Sequence, residues 1–284
     1  MAQKIIGIIG QGFVGSSVKS GLENHYNIET YDLISSKASM NSVRELIWKS
    51  DVLFVCLPTP MRKDGSCDTR IIEGALKEIN DCLLEAEQNK LVITKSTVPP
   101  RTHDSWNSEY RNLDLVFNPE FLTEANAEED FKNQNRIIVG GHPSNCSKAQ
   151  EIYKVVFPNV EYFTTTFITA ELIKYFINCF LATKVSFANE FYQICELLEA
   201  DYSRVLSGVL LDKRIGSTHL KVPGPDGDLG FGGHCFPKDL NAMIHTAVDL
   251  GISPALLKAT KIKNAEVRSN KDWEKMKGRA VSDD

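Results

Sequence analysis

The 284-residue chain is 42% hydrophobic and 24% charged, ordinary values for a soluble globular protein with room for one large domain or two smaller ones. Its 37 acidic and 32 basic side chains give a net charge of −5 with no basic block, which argues against nucleic acid and anionic membrane as partners. No apolar run is long enough to span a membrane, the start MAQKIIGIIG does not read as a signal peptide, and 7 scattered cysteines without a C-x-x-C pair fit reduced thiols in a cytoplasm better than disulfides or a structural metal site.

The first half alternates short β-type runs with helical stretches. Residues 4–9, 26–32, 51–57, 90–96, 113–118 and 136–141 are apolar and β-branched, as strands covered on both faces are. Between two of them, residues 69–88 place Ile71, Ile72, Ala75, Leu76, Ile79 and Leu83 at helical spacing. The alternation predicts an α/β fold, an N-terminal doubly wound parallel Rossmann sheet over residues 1–166. The second half changes character. One helical pattern runs from about Thr169 to Ala200 without Pro or Gly, and further helices are expected over 201–212, 238–250 and 254–269. An all-α central domain over 167–270 is therefore expected, with one long helix buried centrally or shared with a partner chain. Residues 271–284 read as a polar C-terminal tail that frays.

Two stretches carry chemistry. Gly10-Gln11-Gly12-Phe13-Val14-Gly15 follows the first predicted strand and opens a helix, and Asp32 lies 22 positions after Gly10 at the end of the second strand. Gly10 permits the tight turn, Gly12 lets backbone approach a pyrophosphate, and Gly15 lets helix pack on strand. Asp32 would accept hydrogen bonds from a ribose 2′-hydroxyl and repel a 2′-phosphate, so the expected cofactor is NAD. The second stretch is the glycine-rich GPDGDLGFGGHCFPKDL, 224–240, which sets Cys235 directly before an expected helix start. A helix N-terminus favours a thiolate over a thiol there, and Pro237 suits a first helical turn. The other cysteines read as small core residues.

The ordered segments IIGQGFVG, KSTVPP (95–100), NPEFLTE (118–124), AELIKYFIN (170–178) and GFGGHCFPKDL (230–240) resemble the UDP-glucose/GDP-mannose dehydrogenase family, nearest to its UDP-glucose 6-dehydrogenases. The resemblance covers nearly all of residues 1–270. It implies an NAD-dependent double oxidation of the C6 alcohol of a nucleotide sugar, by default UDP-glucose to UDP-glucuronate, for polysaccharide biosynthesis. The route runs through a thiohemiacetal and a thioester on a cysteine, here Cys235. It also implies that Asp239 orients groups at the nucleophile or helps activate water, and that Lys174 and Asn178, four apart on one helix face, donate to the substrate oxygen. Glu120 becomes the base of thioester hydrolysis, Thr97 holds a water, and Glu124 meets cofactor and water. Phe13, Val14, Thr59 and Lys37 join the cofactor contacts. Phe121, Leu122, Arg214, Phe231 and Gly232 join the substrate contacts, and the long helix builds a homodimer through Leu172, Phe176, Phe180, Phe187 and Phe191.

Read without the resemblance, several of these residues have plainer explanations. Asp239 is equally a dipole partner at a helix start, Lys174 and Asn178 equally a solvated edge, and Glu120 with Glu124 equally the acidic first turn of a helix. The sequence also departs from the family. Members carry an insertion where 32–51 is short, have a shorter loop between Arg214 and Cys235, often have Arg at Thr123, and continue into a C-terminal nucleotide-binding domain that this chain is expected to lack. Two other functions remain open: an NAD-dependent 3-hydroxyacid-type dehydrogenase, and a truncated, non-catalytic NAD or nucleotide-sugar binding protein.

Overall fold

The computed structural model describes residues 4–283. Contacts divide them into two units: 4–59 with 69–174, and 60–68 with 175–283.

The first unit is built on seven strands: β1 (Ile5–Ile9), β2 (Asn27–Tyr31), β3 (Val52–Val55), β4 (Lys90–Thr94), β5 (Leu113–Phe117), β6 (Arg136–Gly141) and β7 (Glu161–Thr165). Their order in the sheet is β2-β1-β3-β4-β5-β6-β7. Six of these strands fall where the apolar runs predicted them. The seventh, EYFTT, is an edge strand too exposed to show an apolar pattern. The sheet departs from the all-parallel expectation at one pair: β6 runs antiparallel to β5, joined only at Val116–Gly141 and Phe117–Gly140. Helices α1 (Phe13–Leu22), α5 (Ala127–Lys132) and α6 (Pro143–Val156) contribute to one core, with Ile6, Ile8, Phe54, Ile93 and Tyr153. The other core gathers Leu53, Val92 and Leu115 with α2 (Val43–Lys49), α3 (Arg70–Glu85), α4 (Thr102–Glu109) and the start of α7 (Phe167–Leu197). Gly140 admits α7 closely: a Cβ there would lie 2.6 Å from Ala170 Cβ and 2.8 Å from Thr166 O.

α7 has 31 residues, about 46 Å at the usual rise. Its residues to Lys174 belong to the first unit, and Tyr175 onward to the second. The second unit adds α8 (Tyr202–Val209), α9 (Cys235–Asp249) and α10 (Ala255–Val267), close to the expected helices. Cys179, Ala182, Phe231 and Leu240 form one small core there, and Ala188, Cys195, Tyr202 and Leu220 another. The C-terminal tail does not fray as expected. Met61 N donates to Ala280 O at 2.8 Å and Ser282 N donates to Met61 O at 2.8 Å, which fastens the tail to the 60–68 segment.

Candidate active site

The phosphate turn takes the form that its glycines require. Gly10 has φ +89°, and a Cβ there would meet Cys56 O at 2.5 Å. A Cβ on Gly15 would stand 1.8 Å from Gly10 O, so only glycine lets α1 start so near β1. Gly12 has nothing within 4 Å of its missing side chain and caps α1 without any side-chain hydrogen bond. The helix N-terminus is thus left open to an anion, which fits the pyrophosphate of NAD. Phe13 and Val14 follow half-buried. Asp32 Oδ2 accepts from Gln11 N at 2.6 Å and Oδ1 from Ile34 N at 2.8 Å, which aims the carboxylate at the turn and leaves acceptor capacity on both oxygens for ribose hydroxyls. Lys37 Nζ donates to Gln11 O at 3.4 Å, so Lys37 also reaches the turn. An open cavity of about 530 Å³ lies beside it, lined in part by Gln11, Ser16, Lys37 and Ser39.

Still in the first unit, the carboxyl ends of β3, β4 and β5 bring a second group together, where open α/β sheets place ligands. Thr59 Oγ1 donates to Thr97 O at 2.7 Å, locking the two strand ends. Glu120 is buried: its Oε1 accepts from Lys174 Nζ at 3.2 Å, its Oε2 from Leu122 N at 2.8 Å, and its carbonyl from Lys174 Nζ at 2.5 Å. Phe121 lies under two cations, with Lys174 Nζ 5.3 Å and Arg136 Cζ 4.7 Å from its ring centre. The expectation that Glu120 and Glu124 share a helix face fails. Residues 118–123 form no helix, Glu120 turns inward to Lys174, and Glu124 begins an exposed 3-10 turn, Glu124–Asn126. Thr123 donates through N and Oγ1 to Asp130 Oδ2 at 2.7 and 2.5 Å.

Two buried arrangements here were not singled out from the sequence. Lys95 Nζ donates to Asn118 Oδ1 at 2.6 Å, and Tyr153 OH donates to the same oxygen at 2.5 Å. Glu171, one turn before Lys174, accepts from Arg101 N at 2.7 Å and His103 N at 3.0 Å and lies 2.7 Å from His103 Nδ1. That network ties α7 to the chain just after Thr97. Its signal was legible as an acidic residue within an apolar helix, which is buried only with partners.

In the second unit, Cys235 is itself the first residue of α9, so the helix starts three residues earlier than expected. It is half-buried, while Cys67, Cys82, Cys146, Cys179 and Cys195 are buried. Burial pushes the thiols of Cys146 and Cys179 up to about 11 and about 12, which makes them inert. Asp239, one turn after Cys235, is almost fully enclosed: Asn178 Nδ2 donates to its Oδ2 at 2.5 Å and Lys238 Nζ to its Oδ1 at 2.6 Å. Burial opposes the Lys238 ammonium, but Asp239 outweighs it, with Cys67 and Cys235 adding, and Lys238 is held above the usual lysine range. Lys174 and Asn178 are therefore both buried and partnered by acids, not at a solvated edge.

The glycine-rich loop before Cys235 looks loose in sequence but is stapled. Gly230 N donates to Asn189 Oδ1 at 3.0 Å, and Phe231 N and O exchange hydrogen bonds with the Asn264 amide at 2.7 and 3.0 Å. Gly233 N donates to Asp272 Oδ1 and Oδ2 at 3.2 and 3.1 Å. Arg268, its side chain 1% exposed, pairs with Asp226 at 2.7 Å, and a Cβ on Gly232 would strike Arg268 Nη2 at 2.4 Å. Arg214 is 89% exposed and pairs with Asp212 of its own loop at 2.5 Å, not with the segment around Cys235.

Comparison with known proteins agrees with this architecture. Residues 31–157 match the NAD-binding domain, and 168–266 the central domain, of the UDP-glucose/GDP-mannose dehydrogenase family. The UDP-glucose 6-dehydrogenase TuaD of Bacillus subtilis is 35% identical over 258 residues, 86% of this chain and 54% of that protein. The UDP-glucose 6-dehydrogenase AglM of Haloferax volcanii is 37% identical over 230 residues, 75% of this chain and 52% of that protein. The chain thus spans about half the length of these curated relatives. A UDP-glucose dehydrogenase structure from the archaeon Pyrobaculum islandicum has a TM-score of 0.84 at 31% identity, covering 93% of this chain and 68% of that one. A Mycobacterium tuberculosis 3-hydroxyisobutyrate dehydrogenase has a TM-score of 0.75 at 18% identity, a likeness of fold alone. With its glycine turn open to NAD and both domain matches in the family's order, the chain belongs to the UDP-glucose/GDP-mannose dehydrogenase family.

Proposed function

We propose that this chain oxidises the C6 alcohol of a nucleotide sugar, UDP-glucose by default, to the carboxylate, with Cys235 as covalent nucleophile. The observation that carries the reading is Cys235 at the first residue of α9, one turn from an Asp239 oriented by both Asn178 and Lys238. NAD, when bound at the glycine turn, supplies the hydride acceptor for each of the two oxidations.

The remaining roles fall to the chain's own side chains. Lys174 and Asn178 donate to the oxygen on C6 and stabilise charge that develops there. Cys235 adds to the aldehyde carbon and gives up its thiol proton as the oxygen on C6 gains one. Oxidation of this thiohemiacetal leaves a thioester. Water held near Thr97 then attacks, Glu120 takes its proton, and the Cys235 sulfur leaves. Glu124 and Thr59 serve the cofactor side, and Phe121, Leu122, Phe231 and Gly232 line the sugar. Arg214, exposed on its own loop, is assigned to the substrate by the family resemblance.

The test is NADH formation and acid product with a panel of UDP- and GDP-sugars. Two NADH per sugar are expected for the full reaction. Cys235→Ala should lower acid formation roughly 10³-fold or more while NAD still binds. Acid formation that survives this substitution sinks the thioester route, and activity on a 3-hydroxyacid instead would favour that class, which needs no cysteine. NAD binding without turnover on any sugar would leave a binding protein.

The proposal includes a cytoplasmic homodimer along α7. Leu172, Phe176, Phe180, Phe187 and Phe191 are exposed on that helix, Phe176 to 73%, and a row of large apolar side chains facing water marks an association surface. Sedimentation of the intact chain as a monomer at all concentrations would contradict it.

A further inference from the structure

We propose that Lys95 is a positioning residue for Glu120: its buried ammonium, hydrogen-bonded to Asn118 Oδ1, pins the Asn118–Pro119–Glu120 segment and sets the charge that the Glu120 carboxylate faces. The inference rests on the reading of Glu120 as the base of thioester hydrolysis, and it adds a residue to which that reading gives no role.

The geometry is a closed cluster. Lys95 leaves the end of β4 and is 4% exposed. Its ammonium donates to Asn118 Oδ1, and its Nζ lies 5.9 Å from the Phe131 ring centre. Asn118 is held at both ends of its amide: Tyr153 OH donates to its Oδ1 at 2.5 Å, and its Nδ2 donates to Ile138 O at 2.7 Å. Holding Asn118 therefore holds the chain two residues before Glu120.

The ionisable groups around Lys95 come from several elements, while α5 contributes only the Phe131 ring. Cys56 follows β3, Glu120 follows β5, Lys174 lies on α7 and Tyr153 on α6. Among the described residues, Lys95 and Lys174 both face Glu120. Lys174 takes the direct ion pair with Glu120, so Lys95 is the amine in excess. Burial pushes its ammonium down to about 8, Glu120 and, only where it is ionised, the Cys56 sulfur hold it up, and Lys174 pushes it further down. Burial also drives the Cys56 thiol up to about 12, so near neutral pH that sulfur is uncharged. Lys95 therefore changes charge within a range in which an enzyme works. A carboxylate held between two ammonium groups is a weaker base than one facing a single ammonium. Loss of the Lys95 proton thus favours the step in which Glu120 accepts one.

Two measurements test this. In the full chain labelled with [13Cε]lysine, the Lys95 resonance, assigned by its loss in Lys95→Met, should titrate near pH 8. Its midpoint should drop by roughly one pH unit in Glu120→Gln, because a supporting negative charge is removed. An unmoved midpoint overturns the coupling, with or without turnover, so this arm stands even if the dehydrogenase reading fails. Where turnover is present, acid formation in the wild type should rise through the Lys95 titration. Lys95→Met should lose that limb, and Lys95→Arg should keep the low-pH rate to high pH. If both variants retain the wild-type limb, Lys95 only packs, and the proposal is wrong. Should Glu120→Gln not fold, this pair decides alone.

Discussion

Lys95 in the first unit and Lys238 in the second are both almost fully buried, yet they respond in opposite directions. Burial pushes Lys95 down to about 8, whereas Lys238, buried as deeply, is held above the ordinary range by Asp239. The contact distances do not distinguish them. Each ammonium stands 2.6 Å from an oxygen, but that oxygen is an amide carbonyl in Asn118 and a carboxylate in Asp239. Desolvation disfavours the charged form in both places, and only a touching countercharge reverses it. One region therefore holds a permanently paired ammonium that orients Asp239, and the other an amine that can lose its proton.

The comparison breaks first at Lys238. Lys238→Met leaves Asp239 enclosed without its cation and should cost roughly 3–5 kcal/mol of folding stability in urea denaturation. A neutral outcome would mean that Asp239 reaches water once Lys238 is gone. The same substitution at Lys95 should behave differently. Below pH about 8 Lys95 is protonated in both folded and unfolded chains, and the folded state carries its desolvation. Between about 8 and the ordinary lysine value of 10.5 the unfolded chain binds more protons, so the Lys95 contribution to stability rises with pH. The stability of the wild type relative to Lys95→Met should thus rise by roughly 3 kcal/mol across that window. Taking the difference cancels the other thiols and amines that titrate there. At pH 7 the variant should be no less stable, since a hydrogen bond worth about 1 kcal/mol is lost with the burial penalty. A smaller effect separates two glycines of the phosphate turn. Gly15→Ala forces Cβ against Gly10 O and should lower both stability and NAD affinity. Gly12→Ala meets open space in the protein, so stability should hold while NAD binding weakens, on the order of tenfold or more. Calorimetric titration with NAD beside thermal unfolding reads both quantities.

Much of the site was legible because its chemistry is local. The turn from Gly10 to Gly15 needs backbone freedom at fixed positions, and Cys235 announces itself as a thiol among glycines. Glu120 with Glu124 was misread as a helical pair. The i to i+4 spacing says nothing once Lys174, 54 residues away, draws Glu120 inward. The looseness of 224–234 was likewise misread. Its anchors Asn189, Asn264, Arg268 and Asp272 lie in α7, in α10 and beyond, and nothing in the loop itself points to them. The tail after 270 looked solvent-borne because its strap to Met61 uses backbone groups, which carry no composition signal.

By itself the sequence determined where six of the first unit's strands lie along the chain, the glycine turn beside Asp32, and the thiol before the expected helix start, since these follow from short-range periodicity and from conformations only glycine adopts. The tertiary structure decided which charges are enclosed and by what. Lys238 and Asp239 are neighbours in the chain, yet Asn178 and the packing of α9 enclose them. Lys95 and Asn118 are 23 residues apart and meet only because β4 and β5 pair. A buried group's charge depends on the oxygens and charges that distant segments carry to it, and no local pattern records that.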